Sequence, residues 1–262
     1  MIKLYKESLK RVESEEVLDL LIFRLLGFFI ALLLRKTSVT PNNVTILSMI
    51  LGLFSGYFLY IRDYITGAIL IFLANLLDCV DGQLARLKKQ FSPVGRILDG
   101  FADYVTYVFS YVGLAFGLTN HYDDITYLFI GLFAGASTII QASIFDDYRN
   151  IFIGNKNTEA LKAEIEEVRV IKSKTQNIFH KLLYFFYIPY LKNQIKTREK
   201  TNINYVSSRF IRLFTFVGST THISLLIFLL LINKPEYYFW IISTVFNLYL
   251  LLLIIFRKKL NK

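Results

Sequence analysis

The sequence predicts an all-α integral membrane protein: six transmembrane helices preceded by an amphipathic helix at the membrane interface. Three observations carry this. The chain of 262 residues is 54% hydrophobic yet bears a formal charge of +10, with a mean hydropathy of +0.46. A water-soluble domain is about 45–50% apolar and roughly a quarter charged, so apolar and charged residues must here be segregated. The apolar residues do gather in runs of membrane-spanning length. The basic residues then fall almost entirely on one side of the topology those runs define.

Uncharged runs cover residues 44–61, 104–122, 125–145, 213–233 and 237–256, each of 18 to 21 residues with histidine counted neutral. About 20 apolar residues cross a bilayer as a helix, so these are five spans. A sixth run, 64–77, is 14 residues long and then meets Asp78 and Asp81. Its helix continues past them, with the acidic end facing protein or water rather than lipid. The expected spans lie near 44–61, 64–86, 98–119, 125–145, 211–233 and 237–256, within a unit spanning 39–262 that has a long cytoplasmic loop over 146–210.

Residues 1–38 form the N-terminal cytoplasmic and interfacial segment. The first sixteen are dense in charge and lack an apolar core, which argues against a cleaved signal peptide. Residues 17–35 are apolar but hold Asp19 and Arg24, and so read as an interfacial amphipathic helix. In the long loop, Leu161, Ile165 and Val168 have helical spacing, while the short apolar stretch 182–191, broken by Pro189, is expected to rest on the membrane surface. With a cytoplasmic N-terminus, 28 of the 30 Lys and Arg lie inside, leaving only Arg62 and Lys234 outside. That asymmetry places both termini in the cytoplasm, of a multi-pass protein expected in the cell inner membrane. The excess charge thereby orients the chain and needs no nucleic-acid partner. A single cysteine excludes an intrachain disulfide. Gly52/Gly56, Gly113/Gly117 and Gly131/Gly135 let helix backbones approach, inside the bundle or across a homodimer seam.

Residues 78–103 carry the chemistry. Asp78 and Asp81 share a helix face, as do Asp99 and Asp103 on the next helix. A short loop with Pro93 and Gly95 makes the two helices antiparallel neighbours, so four carboxylates can converge. Any one of these acids alone reads as a cap or surface charge. Four together would repel strongly at reduced dielectric and require positive charge among them. An oxygen-only donor set selects a hard cation, Mg²⁺, Mn²⁺ or Ca²⁺. Gly82 leaves room for a ligand, and Arg86, one turn on, offers a planar fork to phosphate. The combination points to phosphoryl transfer on a diphosphate substrate, with one carboxylate free to take a proton from an attacking hydroxyl. Cys79 is a soft donor off the shared face and reads as packing. His121, His180 and His222 are dispersed and form no triad.

The pattern Asp78-x2-Asp81-Gly82-x2-Ala85-Arg86-x8-Gly95-x3-Asp99-x3-Asp103 resembles the signature of the CDP-alcohol phosphotransferase family, at every fixed position. The stretch Val39, Thr40, Pro41, Asn42, Asn43, Val44, Thr45 resembles the entry to that family's first span. The resemblance implies two divalent ions, Mg²⁺ or Mn²⁺, held by Asp78, Asp81, Asp99 and Asp103, with Asp103 also the general base. It implies that Gly82, Ala85, Arg86, Ser92, Gly95, Thr40, Pro41, Asn42 and Asn43 bind the CDP-linked substrate. Arg96, Arg149, Arg209 and Arg212 are candidates for the acceptor, or are anchors near anionic lipid. The implied reaction moves a phosphatidyl group from CDP-diacylglycerol to a small polar or phosphorylated alcohol in phospholipid biosynthesis, releasing CMP. Two alternatives remain: transfer of phosphocholine or phosphoethanolamine from a CDP-amino-alcohol to diacylglycerol, and an intramembrane cation transporter.

Overall fold

A computed structural model of the chain describes residues 1–10, 12–91, 93–154, 158–175, 178–201 and 205–257. Two short N-terminal helices, α1 (Ile2–Ser8) and α2 (Arg24–Leu34), are joined by a 3₁₀ turn (Val12–Ser14) and a π-helical turn (Asp19–Phe23). Then come α3 (Pro41–Tyr60), α4 (Tyr64–Lys88), α5 (Pro93–Tyr122) and α6 (Thr126–Ile153). A pair, α7 (Thr158–Lys174) and α8 (Ile178–Thr201), leads to α9 (Ser208–Phe214) and α10 (Ser219–Leu231), and the chain closes with α11 (Glu236–Ile241) and α12 (Asn247–Ile255). Among the described residues there is no strand. Six stretches are long and apolar enough to cross a membrane: α3, α4, α5, α6, Ser208–Leu231 and Glu236–Ile255. The protein is an all-α membrane protein.

Local chemistry sets the helix ends. Thr40 caps α3, accepting from the Asn43 N–H, and Pro41 stands at the first turn, where its missing donor costs nothing. Asp63 caps α4 by accepting from Thr66. At the other end of α4, Lys89 adopts a left-handed φ of 56°, and the Gln90 N–H closes on the Ala85 carbonyl at 3.0 Å. This turns the chain sharply into α5, and both helices then pack on α3 more than on each other.

The seam between α3 and α5 is the tightest in the bundle. A Cβ on Gly113 would lie 2.0 Å from the Gly56 carbonyl oxygen, and one on Gly117 would lie 2.6 Å from that of Leu59. Gly131 is crowded by Ala115 at 2.8 Å and Phe239 at 3.1 Å, while Gly135 meets Tyr111 only in ordinary contact at 3.5 Å. Gly52, Gly56, Gly113, Gly117 and Gly131 are thus used within one chain. Leu59, Ile71, Leu114, Leu118, Leu226 and Phe239 fill the core around this seam, and polar side chains tie further helices to it. Tyr111 bonds Thr138 and Tyr238 at 2.6 and 2.8 Å, and Asn247 bonds Gln141 and Ser137.

The N-terminal helix is amphipathic with its charged residues turned inward. Asp19 and Arg24, only 5% and 8% exposed, face inward against α4, while Leu21 and Leu33 are 66% and 77% exposed on the outer side. The charges are buried because they pair with one another: Arg24 donates to Asp19 at 3.0 Å and to Glu15 at 3.2 Å. The stretch 182–191 is not broken at Pro189: it is part of the continuous α8, where Leu183 and Tyr184 bury against Val168 of α7 and Ile97 and Leu98 of α5. Leu191 meets Leu161 and Ile165. Packing as a hairpin on the start of α5 buries one face of this stretch, while Phe185 on the other is 62% exposed.

Glu16, outside the spans, is buried where α10 begins. Its carboxylate accepts from the Thr220 and Thr221 N–H groups at 3.0 and 2.7 Å and from the Thr221 hydroxyl at 2.8 Å. Burial, reinforced by Asp19, raises its pKa from 4.5 to about 7. The unfolded chain releases this proton at lower pH than the folded one, so stability falls as pH rises between about 4.5 and 7. The whole effect is on the order of 3 kcal/mol, present as lost stability above pH 7. Thermal unfolding in detergent at pH 5 and pH 8 should show a smaller drop for Glu16→Gln than for the wild type; equal drops would refute this assignment.

Candidate active site

Helices α4 and α5 bring the four aspartates to the end of the bundle where the N-terminal segment lies. Ligand oxygens of Asp78, Asp81 and Asp99 all lie within 4.8 Å of one another. Asp103, one turn further along α5, is outside that trio, and its side chain is exposed. The arrangement therefore separates three clustered carboxylates from a fourth that is open to a reactant.

Ionised acids this close repel unless a cation sits among them. The nearest buried guanidinium, Arg24, is already taken by Glu15 and Asp19. The trio offers oxygen donors only, which fits a hard divalent cation. Cys79 contributes nothing: its Sγ points at Asp19 Oδ1, 3.1 Å away, and packs with Phe23 and Leu76. Asp81 is oriented by Thr45, whose hydroxyl donates to Asp81 Oδ2 at 2.5 Å. An oriented carboxylate is a better ligand, because the hydroxyl fixes which lone pairs face the ion.

The diphosphate-binding candidates sit beside this trio. A Cβ on Gly82 would come 3.3 Å from Arg86 Nη2, so the glycine makes room for the guanidinium. Arg86 Nε donates to the Ser8 carbonyl at 2.5 Å, while Nη2 is buried without a hydrogen-bond partner among the described residues. A buried donor left unpaired costs stability and calls for an acceptor such as a phosphate oxygen. Ala85 and Gly95 are half-buried on the facing helices. Thr40 and Asn43 are exposed and joined by a short side-chain contact; Pro41 and Asn42 are half-buried. Lys88 holds this loop to α4 by donating to the Thr37 and Val39 carbonyls at 2.8 and 2.7 Å. Ser92 lies outside the described residues.

The acceptor candidates disperse. Arg96 pairs with Glu164 of α7 at 2.8 Å, and Tyr187 donates to the same carboxylate. Arg149 pairs with Asp146 at 2.5 Å and lies over the Phe145 ring. Arg212 donates to the Glu15 and Val12 carbonyls, each at 3.2 Å. Arg209 is exposed on α9. Lys10 was not anticipated from the sequence. Arg149, then burial, then Arg24 and Arg86 push its ammonium pKa down, which sets Lys10 among these basic groups.

A family model described as CDP-alcohol phosphatidyltransferase matches residues 38–190, more than half of the chain and all four aspartates. The chain belongs to this family. Among its relatives in the CDP-alcohol phosphatidyltransferase family, a bifunctional IPC transferase and DIPP synthase of Aquifex aeolicus is 29% identical over 154 residues, covering 58% of this chain and 34% of that protein. An archaetidylinositol phosphate synthase of Pyrococcus horikoshii is 30% identical over 95 residues, 36% of this chain and 50% of that one. A CDP-diacylglycerol–glycerol-3-phosphate 3-phosphatidyltransferase of Aquifex aeolicus is 30% identical over 105 residues, 40% and 58% respectively. The chain thus spans between a third and six tenths of the length of these relatives.

Proposed function

We propose that this chain transfers a phosphatidyl group from CDP-diacylglycerol to the hydroxyl of a small, phosphorylated alcohol and releases CMP. The observation that carries the reading is the exposed Asp103 beside three clustered carboxylates. Mg²⁺ or Mn²⁺, held as two ions by Asp78, Asp81, Asp99 and Asp103, would neutralise charge on the diphosphate oxygens. Arg86 Nη2 would accept the burden of orienting the diphosphate, with Gly82 keeping the approach open. Asp103 would take the proton of the acceptor hydroxyl as its oxygen bonds to the lipid-bearing phosphorus and the bond to CMP breaks. Lys10 and Arg149 supply positive charge where a phosphorylated acceptor would dock. Residues 39–262 would form the catalytic unit, with residues 1–38 against it and both termini in the cytoplasm of the inner membrane.

The supporting comparisons are relatives named as an archaetidylinositol phosphate synthase and a CDP-diacylglycerol–glycerol-3-phosphate 3-phosphatidyltransferase. Purified protein with Mg²⁺ or Mn²⁺, CDP-diacylglycerol and a panel of polyol phosphates is expected to release CMP with at least one of them. CMP formed only from CDP-choline or CDP-ethanolamine with diacylglycerol would favour the other branch of the chemistry. A folded protein that releases no CMP in either arm, yet moves divalent cations into vesicles, would overturn the transferase reading.

A further inference from the structure

The structure assigns a positioning role to residues 8–10 and 12–16: they form a strap that fixes the guanidinium of Arg86 before the nucleotide arrives. This inference rests on the reading of Arg86 as the diphosphate ligand. The strap lies outside the stretch, 38–190, in which the chain matches its family.

Arg86 has a long, flexible side chain, and an arginine that must be ordered by its ligand loses rotamer freedom at the moment of binding. Here one edge is already committed. Nε donates to the Ser8 carbonyl, which leaves Nη2 as the buried, unpaired donor on the Gly82 side. The Ser8 carbonyl can play this part only if the strap itself is fixed, and it is anchored from both sides. Gln83, fully buried one turn before Arg86, donates through Nε2 to Ser8 Oγ at 3.3 Å and to the Arg24 carbonyl at 3.0 Å. Ser8 Oγ in turn donates to the Tyr5 carbonyl at 2.7 Å.

At the far end of the strap, Glu15 accepts from the Lys10 N–H and from Arg24 Nη2, each at 3.2 Å. Arg212 of α9 donates to the Glu15 and Val12 carbonyls. Glu16 closes the strap onto α10, where Gly218 has no side chain to obstruct it; a Cβ there would lie 2.2 Å from the Glu16 carboxyl carbon. Bonds from α2, α4, α9 and α10 therefore converge on one short segment, and its first carbonyl points at the arginine beside the metal-binding trio.

The test is a double-mutant cycle read as KM and kcat for CDP-diacylglycerol in the full-length protein. Gln83→Met keeps the volume but removes the donor that holds Ser8. It is expected to raise KM about fivefold with kcat within about twofold. In the Arg86→Gln background the same change is expected to alter KM by less than about 1.5-fold, since nothing remains to be positioned. Ser8→Ala, the loss of one hydroxyl, is read in the same two backgrounds and keeps the test open if Gln83→Met does not fold; about threefold in KM is expected. An unchanged KM in the single variants, or equal effects in both backgrounds, would overturn the strap while leaving Arg86 as a ligand. If Arg86→Gln alone leaves KM unchanged, the nucleotide reading fails and the strap falls with it.

Discussion

Asp103→Asn should leave a protein that still binds CDP-diacylglycerol but turns it over at least about 10³-fold more slowly. The reasoning is geometric. Asp78, Asp81 and Asp99 form the compact trio, and Asp103 stands apart from it with its side chain exposed. A carboxylate in that position can reach an incoming hydroxyl, and an amide of the same shape cannot take its proton. The diphosphate would still meet Arg86 and the trio, so equilibrium binding of a labelled CDP-diacylglycerol should change by less than about threefold. Equal losses of binding and turnover would show that Asp103 holds the substrate instead, and would return the general base to another residue.

The second large effect concerns the trio. Asp81→Ala should abolish both turnover and specific Mn²⁺ binding, the latter read directly by electron paramagnetic resonance on the purified protein. Removing one of three oxygen ligands leaves too few for a hard cation at micromolar concentration. Thr45→Ala isolates orientation from ligation, because it deletes only the hydroxyl that donates to Asp81 Oδ2. A 10–100-fold weaker Mn²⁺ affinity is expected there, the scale typical of losing a partner that orients a ligand. Undiminished Mn²⁺ binding in Asp81→Ala would remove this trio as the metal centre.

These expectations draw on residues of unequal legibility. The six spans and the spacing of the aspartates can be read from the chain because hydropathy and helical periodicity are local properties. Thr45 falls in the stretch that resembles the entry to the first span, but its bond to Asp81 has no signal in the chain until α3 and α4 are packed together. Glu15, Asp19 and Arg24 mislead for a related reason. Charges in a short apolar segment suggest a wet face, but these three satisfy one another across the turn and so can be buried. The helix α8 hid behind Pro189, which reads as a break and here sits inside a continuous helix supported by α7 and α5. Arg96 and Arg212 illustrate the limit of charge alone, since their partners, Glu164 and the Val12 and Glu15 carbonyls, are distant in sequence.

The contact of Gly56 with Gly113 has a bearing on how a lipid is read. Where two backbones touch with no side chain between them, neither helix can slide along the other without collision. Helix α3 carries Thr45 and α5 carries Asp99 and Asp103, so the reacting groups share one fixed level along the bundle. A lipid's polar head must come to that level while its chains stay in the leaflet. For a substrate whose chains stay in the leaflet, the glycine seam would act as a depth stop, since it fixes the height of Asp99 and Asp103 against α3.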